Sequence, residues 1–117
     1  MTPRQSELRF SGAPWYKAVK ETPVTLIGAG GIGSWTALLL ARTGFNVTVY
    51  DPDIIEAHNI GGQLYQMSQI GKPKVLALAE IIKQFSEAGI SAFAQRYPNS
   101  VTADNAIVIL AVDNIMT

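Results

Sequence analysis

The chain has 117 residues, of which 48% are hydrophobic and 15% are charged, and its nine Lys plus Arg residues balance its nine Asp plus Glu residues. This composition is typical of one globular domain, and the zero net charge argues against bulk attraction to nucleic acid. There is no cysteine, which excludes a disulfide, a thiolate zinc site and a cysteine nucleophile within these residues.

Neither a signal peptide nor a membrane span is recognisable in the sequence. The N-terminus lacks an apolar core, and no apolar run approaches the roughly 20 residues that cross a bilayer. We therefore expect a cytoplasmic protein that does not contact a membrane.

The first half of the chain predicts an arm, a strand, a helix and a second strand. Residues 1–22 contain prolines among mixed polar residues and are interpreted as an N-terminal arm with one short helix over 14–21. Residues 24–27 form a short apolar run typical of a buried strand, and residues 46–50 alternate as a second strand does. Between them, residues 32–42 carry an apolar stripe at helical spacing, formed by Ile32, Trp35, Thr36, Leu38, Leu39 and Leu40.

The second half predicts a loop, a helix and two further strands. The loop runs to Gly71, and Pro73 suits the first position of the helix that follows. The loop residues interpreted as mobile or partner-facing are Tyr65, Gln66 and Gln69. The expected buried face of the helix is formed by Val75, Leu76, Leu78, Ala79, Ile82 and Phe85. Residues 90–97 and 106–112 are predicted as the third and fourth strands.

This order of elements predicts a Rossmann-like α/β fold with a parallel sheet in the order 3-2-1-4. Right-handed crossovers that move in one direction place both helices on the same face of the sheet. The other face has no helix in this sequence, so we expect an exposed apolar surface there. We interpret residues 23–117 as the front part of a longer nucleotide-binding domain, incomplete at the C-terminus, because the sequence ends just past a central strand.

The turn between the first strand and the first helix has the pattern G-x-G-x-x-G, with its glycines at Gly28, Gly30 and Gly33. One such glycine makes the tight turn, one admits a phosphate to the backbone, and one lets helix and strand pack closely. The helix N-terminus offers free N–H groups to the anion. Asp51, about 20 residues further on at the end of the second strand, can bind ribose hydroxyls. By itself the turn leaves NAD, FAD and an ATP-type nucleotide as alternatives.

Further motifs follow the glycine turn along the chain. In order, they are Asp51-Pro52-Asp53 at the end of the second strand, Asn59 with Gln63, Gly71-Lys72-Pro73-Lys74 at the start of the second helix, and Asp113-Asn114 after the fourth strand. With the extra glycine of the turn, Gly31, this set resembles the ThiF/MoeB family, the ubiquitin-activating-enzyme-like adenylyltransferases. The resemblance spans residues 28–114, which is most of the chain.

The resemblance implies an enzyme that uses ATP and Mg²⁺ to convert the C-terminal glycine carboxylate of a ubiquitin-like or sulfur-carrier protein into an acyl-adenylate. It implies that Lys74, Asp113 and Arg9 act in catalysis, Asp113 as the magnesium ligand and Arg9 from the other subunit of a homodimer. The residues that it implies for nucleotide binding are Gly28, Gly30, Gly31, Gly33, Asp51, Asp53, Asn59, Gln63 and Lys74. The isolated fragment is expected to be inactive.

One departure from the family pattern concerns charge. The family has an arginine in its N-x-x-R-Q segment, and this chain has Gly62 there, so a cation expected near the triphosphate is absent. Two alternatives stay open: the NAD-binding domain of an oxidoreductase, and a non-catalytic scaffold of the same fold, which the missing cation favours. An oxidoreductase would use Asp51 but would not need Lys74 or Asp113.

Overall fold

The computed structural model describes residues 22–87, 89–98 and 107–112. In chain order, the elements are β1 (Pro23–Ile27), α1 (Gly31–Thr43), β2 (Asn46–Tyr50), two short 3-10 turns (Ala57–Asn59 and Met67–Gln69), α2 (Lys74–Lys83), β3 (Ser91–Phe93) and β4 (Ile107–Leu110). Three of the sequence predictions lie outside the described residues, namely the arm with its helix over 14–21, Arg9 and Asp113.

The four strands form one sheet in the order β3-β2-β1-β4, and every neighbouring pair is parallel. In the register, Leu26 of β1 lies between Val49 of β2 and Ile109 of β4. Parallel neighbours require crossover connections, and α1 and α2 supply two of them. The predicted Rossmann-like fold and strand order are confirmed.

Two strands are shorter than the sequence predicts. β3 ends at Phe93 rather than at residue 97, because the N–H of Gln95 turns back to donate to the Phe93 carbonyl at 2.8 Å. β4 ends at Leu110, although one further hydrogen bond, from Ala111 N to Ile27 O at 2.8 Å, continues the ladder. The carboxyl ends of β1 and β4 therefore stay together beside the glycine turn.

Both helices pack on the face of the sheet that carries Leu26 and Val49, as predicted. The buried face of α1 differs from the prediction, because it consists of small residues, Gly33, Ser34, Ala37 and Ala41. Large residues of the predicted stripe, Ile32, Trp35 and Leu39, are 78%, 47% and 66% exposed. At its first turn the helix lies too close to the glycine turn for any side chain at position 33, since a Cβ at Gly33 would be 2.0 Å from Gly28 O.

The second helix buries much of its predicted face and exposes two of its members. Val75, Leu78 and Ile82 are in the core, together with Ala77 and Ile81. Leu76 and Phe85 are about half exposed, which corrects the prediction for these two side chains. On the opposite face of the sheet no described helix is present, and Phe93, Val108 and Leu110 are substantially exposed.

Residues 54–73 leave the sheet and return to it, and this excursion is closed at its base. Ile54 and Pro73 form an antiparallel bridge. Hydrogen bonds join Ile55 N to Lys72 O at 2.9 Å and Gly71 N to Ile55 O at 2.8 Å. The closure holds the start of α2 next to the end of β2.

Candidate nucleotide-binding site

Two glycines of the turn, Gly28 and Gly33, are required for the fold, independently of any ligand. Gly28 has a φ of 110°, which favours glycine, and a Cβ there would lie 2.4 Å from the Ala111 carbonyl oxygen. Its N–H donates to Tyr50 O at 2.8 Å. Gly33 is equally restricted, because its Cβ would collide with Gly28 O. These two positions hold β1, β4 and α1 together at close range.

Gly30 and Gly31 have a different environment. A Cβ at either position would meet only ordinary contacts, at 3.7 Å from a Gln63 side-chain nitrogen and from Gly62 O respectively. The first N–H of α1 that donates within the helix is that of Ser34, to Gly30 O at 2.9 Å. No side chain caps the helix, and no acidic residue lies in its first turn. The N–H groups at the start of α1 are thus available to an anion.

Asp51 lies directly after β2 and is 7% exposed. Its Oδ2 accepts a hydrogen bond from Ala29 N at 2.8 Å, and its Oδ1 accepts one from Asp53 N at 2.8 Å. A carboxylate has roughly four acceptor positions, so both oxygens can still bind ribose hydroxyls. The sequence analysis assigned Asp51 to nucleotide binding alone. It did not predict that the carboxylate also holds the glycine turn next to the end of β2 through the hydrogen bond from Ala29 N.

A cleft of about 230 Å³ opens at the end of β2 and is lined by Asp53, Ile54, Glu56, His58, Asn59 and Lys74. Asn59 is buried, and its Oδ1 accepts a hydrogen bond from Glu56 N at 2.8 Å. His58 and Glu56 form an exposed pair at 3.5 Å on the rim. The structure thus brings three predicted site residues, Asp53, Asn59 and Lys74, to one cleft.

Lys74 is the first residue of α2, and only 7% of it is exposed. Its backbone N–H donates to Asp53 O at 2.9 Å, but its ammonium group has no hydrogen-bond or ion-pair partner among the residues that the structure describes. Lys72 contrasts with it, since its ammonium lies 3.3 Å from Glu80 on the surface. A cation at a helix N-terminus is unfavourable without an anion. This feature favours a negatively charged ligand.

The segment that carries Gln63 lies over the glycine turn. The Nε2 atom of Gln63 is near Gly30, and its buried Oε1 has no donor within the described part of the chain. The neighbouring Gly62 carbonyl accepts a hydrogen bond from Trp35 Nε1 at 3.4 Å. Nothing lies within 4 Å of a Cβ built at Gly62, so the position has room for a larger side chain.

The prediction of a mobile or partner-facing surface is wrong for Tyr65 and Gln69, which are only 3% and 5% exposed. The Tyr65 hydroxyl donates to the Ala29 carbonyl, 36 residues earlier in the chain. Gln69 donates to Ala77 O at 3.3 Å and accepts from Gln66 N at 3.0 Å. The partner of Tyr65 is distant in sequence, and no apolar period in the loop indicates that either side chain is buried.

Mg²⁺ is held in proteins by one or two carboxylates together with substrate phosphates, so a nucleotide site needs few acidic residues for it. In the described ranges no three His, Cys, Asp or Glu side chains cluster as metal ligands. Asp53 and Glu56 contribute carboxylates to the cleft lining.

Within the same ranges, no helix is long and apolar enough to cross a membrane.

Comparison with curated proteins finds relatives of two kinds. tRNA threonylcarbamoyladenosine dehydratase 1 of Saccharomyces cerevisiae is 32% identical over 79 residues, which are 66% of this chain and 18% of that protein. Ubiquitin-like modifier-activating enzyme 5 of Bombyx mori is 33% identical over 91 residues, which are 77% of this chain and 23% of that protein. The chain therefore spans less than a quarter of each.

Solved structures include neighbours of the same fold. TcdA (CsdL) superposes with a TM-score of 0.80 and 26% identity over 93% of this chain and 46% of its own. The E. coli tRNA N6-threonylcarbamoyladenosine dehydratase, TcdA, in complex with ATP gives a TM-score of 0.76 and 27% identity over 94% of this chain and 49% of its own. A sequence model of the ThiF family matches residues 2–117. The chain belongs to the ThiF family.

Proposed function

We propose that this protein binds MgATP and adenylates a carboxylate. The observation that carries the proposal is the largely buried side chain of Lys74, which lines the cleft at the end of β2 and whose ammonium has no partner among the described residues. The free N–H groups at the start of α1 offer a second anion-binding element. The Asp51 carboxylate, which is bonded to Ala29 of the glycine turn and to Asp53 of the cleft, supplies acceptors for the ribose of the nucleotide. Family membership and the ATP complex of TcdA support the same nucleotide.

In the proposed reaction an oxygen of the substrate carboxylate attacks the α-phosphorus of ATP. A bond forms between that oxygen and phosphorus, the bond from phosphorus to the bridging oxygen of pyrophosphate breaks, and an acyl-adenylate and pyrophosphate result. A carboxylate is a weak nucleophile approaching a polyanion, so positioning and charge neutralisation dominate catalysis. Lys74 would neutralise phosphate charge, and Asp113 would hold the magnesium ion.

The first candidate substrate is the C-terminal glycine carboxylate of a ubiquitin-like or sulfur-carrier protein. It is supported by the resemblance of the motifs and by the similarity to ubiquitin-like modifier-activating enzyme 5. We propose a cytoplasmic homodimer in which Arg9 of one subunit reaches the site of the other. The exposed apolar residues Ile32, Trp35 and Leu39 of α1 offer such a dimer a surface near the glycine turn.

A second candidate substrate is a carboxylate carried by tRNA. It is favoured by the similarity to tRNA threonylcarbamoyladenosine dehydratases in both comparisons. A threonylcarbamoyl group retains the threonine carboxylate, which ATP can activate by the same attack on the α-phosphorus. The zero net charge of the chain supplies no general attraction to a polyanion, so we place the protein substrate first.

The experiment that tests the proposal is ATP–pyrophosphate exchange by the full-length protein. Separate reactions would contain glycine-ended ubiquitin-like proteins, sulfur carriers, and tRNA that bears threonylcarbamoyladenosine. Exchange that depends on one of these substrates is the expected result and identifies the carboxylate. Absence of exchange with all of them, together with saturable NADH binding, would instead support the oxidoreductase alternative. Nucleotide binding without exchange would support the scaffold.

Substituting Gly62 by arginine should raise the catalytic efficiency for ATP. The position has open space, and an arginine there would return the cation that the family pattern places near the triphosphate. We expect kcat/KM for ATP to rise roughly tenfold, the value of one charge-assisted contact. The matched control is Gly61→Arg, because Gly61 is equally unobstructed and adjacent. Equal effects of the two arginines would refute a specific role for position 62.

A further inference from the structure

Tyr65 is a buried polar group that the proposed reaction does not use. Its side chain lies in the core and its hydroxyl donates to the carbonyl of Ala29, inside the glycine turn. Burial raises the pKa of the Tyr65 hydroxyl well above its usual range, and the nearby Asp51 carboxylate raises it further. The hydroxyl thus remains a neutral donor at physiological pH.

The hydrogen bond to Ala29 fixes the direction of one peptide plane. In a trans peptide the C=O and the following N–H point in opposite directions. With the Ala29 carbonyl turned toward the buried Tyr65, the Gly30 N–H of the same peptide points away from the core. The preceding peptide is fixed separately, because Ala29 N donates to Asp51 Oδ2 at 2.8 Å. Two successive planes are held from inside the protein.

The backbone N–H groups of the turn therefore fall into two sets, those bonded within the protein and those available to a ligand. The N–H of Ala29 donates to Asp51, so the available N–H groups begin at Gly30. Gly30 directly precedes α1, and no side chain caps this end of the helix. A phosphate that approaches the turn therefore meets Gly30 first, and the angle of that N–H is set by a side chain from the distant loop.

We propose that Tyr65 is a positioning residue that aims the Gly30 N–H at the phosphates of the bound nucleotide. Tyr65 acts on the polyphosphate and leaves recognition of the nucleoside unchanged. The proposal rests on the nucleotide-binding function proposed above and adds a residue to which the sequence assigned no role in the site.

The experiment compares Tyr65→Phe with the wild type in the full-length protein, using calorimetric titration of ATP and competition by adenosine. Removal of the hydroxyl frees the Ala29 peptide, so the Kd for ATP should rise roughly tenfold, the value of one hydrogen bond to a charged group. The Kd for adenosine should stay within about twofold of wild type. The control is Tyr97→Phe, because Tyr97 packs edge-on against Tyr50 and is not among the residues that line the cleft.

Equal weakening of ATP and adenosine, or no change in either, would overturn the role of Tyr65 while leaving the proposed function intact. A wild-type protein that binds neither ligand would overturn the proposed function itself and the inference with it.

A measurement on the wild type covers the case in which Tyr65→Phe does not fold. In protein labelled with ¹⁵N at alanine and glycine, ATP should shift the Gly30 amide resonance more than that of Ala29. The reverse order would contradict the geometry.

Discussion

Replacing Lys74 by methionine should lower ATP–pyrophosphate exchange by about a hundredfold or more, the usual cost of removing one preorganised charge from a reacting phosphate. The folded structure should survive the change. Methionine keeps most of the aliphatic stem of the lysine, which supplies the buried part of this residue, and it removes an ammonium that has no partner among the described residues. We therefore expect the melting temperature to stay level or to rise slightly, because the packing of the stem is retained and a cation at a helix N-terminus is mildly unfavourable.

The matched control for this substitution is Lys72→Met. Lys72 lies two residues away and carries the same charge, but it is exposed and paired with Glu80 at 3.3 Å. Its loss should change the exchange rate by less than about twofold, since exposed ion pairs contribute little. If the two variants lose exchange to the same degree, a general loss of positive potential explains the result and Lys74 has no special position.

Alanine at Gly33 should destabilise the domain severely, whereas alanine at Gly31 should leave it folded and unable to hold ATP tightly. The Cβ at position 33 would lie 2.0 Å from Gly28 O, a backbone atom that cannot move aside without separating α1 from β1. We expect a loss of more than about 3 kcal/mol in the free energy of unfolding. For a domain of this size that loss lowers the melting temperature by more than about 10 °C.

At Gly31 the added methyl group meets only Gly62 O at 3.7 Å, an ordinary contact. Alanine also favours helix formation over glycine, so the free energy of unfolding should rise by roughly 0.5 kcal/mol. The methyl group would nevertheless occupy the surface where a phosphate approaches the backbone, and the Kd for ATP should rise by about tenfold or more. Thermal melting and ATP titration of both variants measure the two effects. ATP binding by Gly31→Ala at the wild-type level would exclude a phosphate from this surface.

The strand, turn and helix of residues 23–43 could be predicted from the sequence because each depends on local rules. A short apolar run, a glycine turn and a helix of fixed spacing leave few arrangements, and right-handed crossovers then determine the strand order. The position of Asp51 at the end of β2 was predictable for the same reason. Its bonds to Ala29 and Asp53 were not, since they depend on side-chain directions.

The buried face of α1 was not predictable from hydrophobicity. Periodicity indicated Ile32, Trp35 and Leu39 as core residues, but α1 buries its small residues instead, and at Gly33 the close approach to Gly28 O excludes any side chain. The burial of Tyr65 was hidden for another reason. Its partner, Ala29, is 36 residues away, and a single contact of that separation leaves no period in the sequence.

The exact environment of Lys74 likewise required the fold. The motif Gly71-Lys72-Pro73-Lys74 presents two lysines of similar appearance, and family resemblance alone favoured the second. The structure separates them physically, since one lies on the surface beside Glu80 and the other lines the cleft. Lys72 lies before the helix and Lys74 is its first residue, so their side chains have different surroundings despite their proximity in sequence.

The closed base of the excursion over residues 54–73 makes its outer part replaceable. Because Ile55 is bonded to Lys72 and to Gly71, changes at the exposed residues Met67 and Ser68 need not alter the distance between the end of β2 and Lys74. Loop closure costs little more for a longer loop, so insertions there are also affordable in free energy. Substrate preference could diversify there while the nucleotide-binding framework stays constant, and loop grafting between relatives is a practical route to altered specificity.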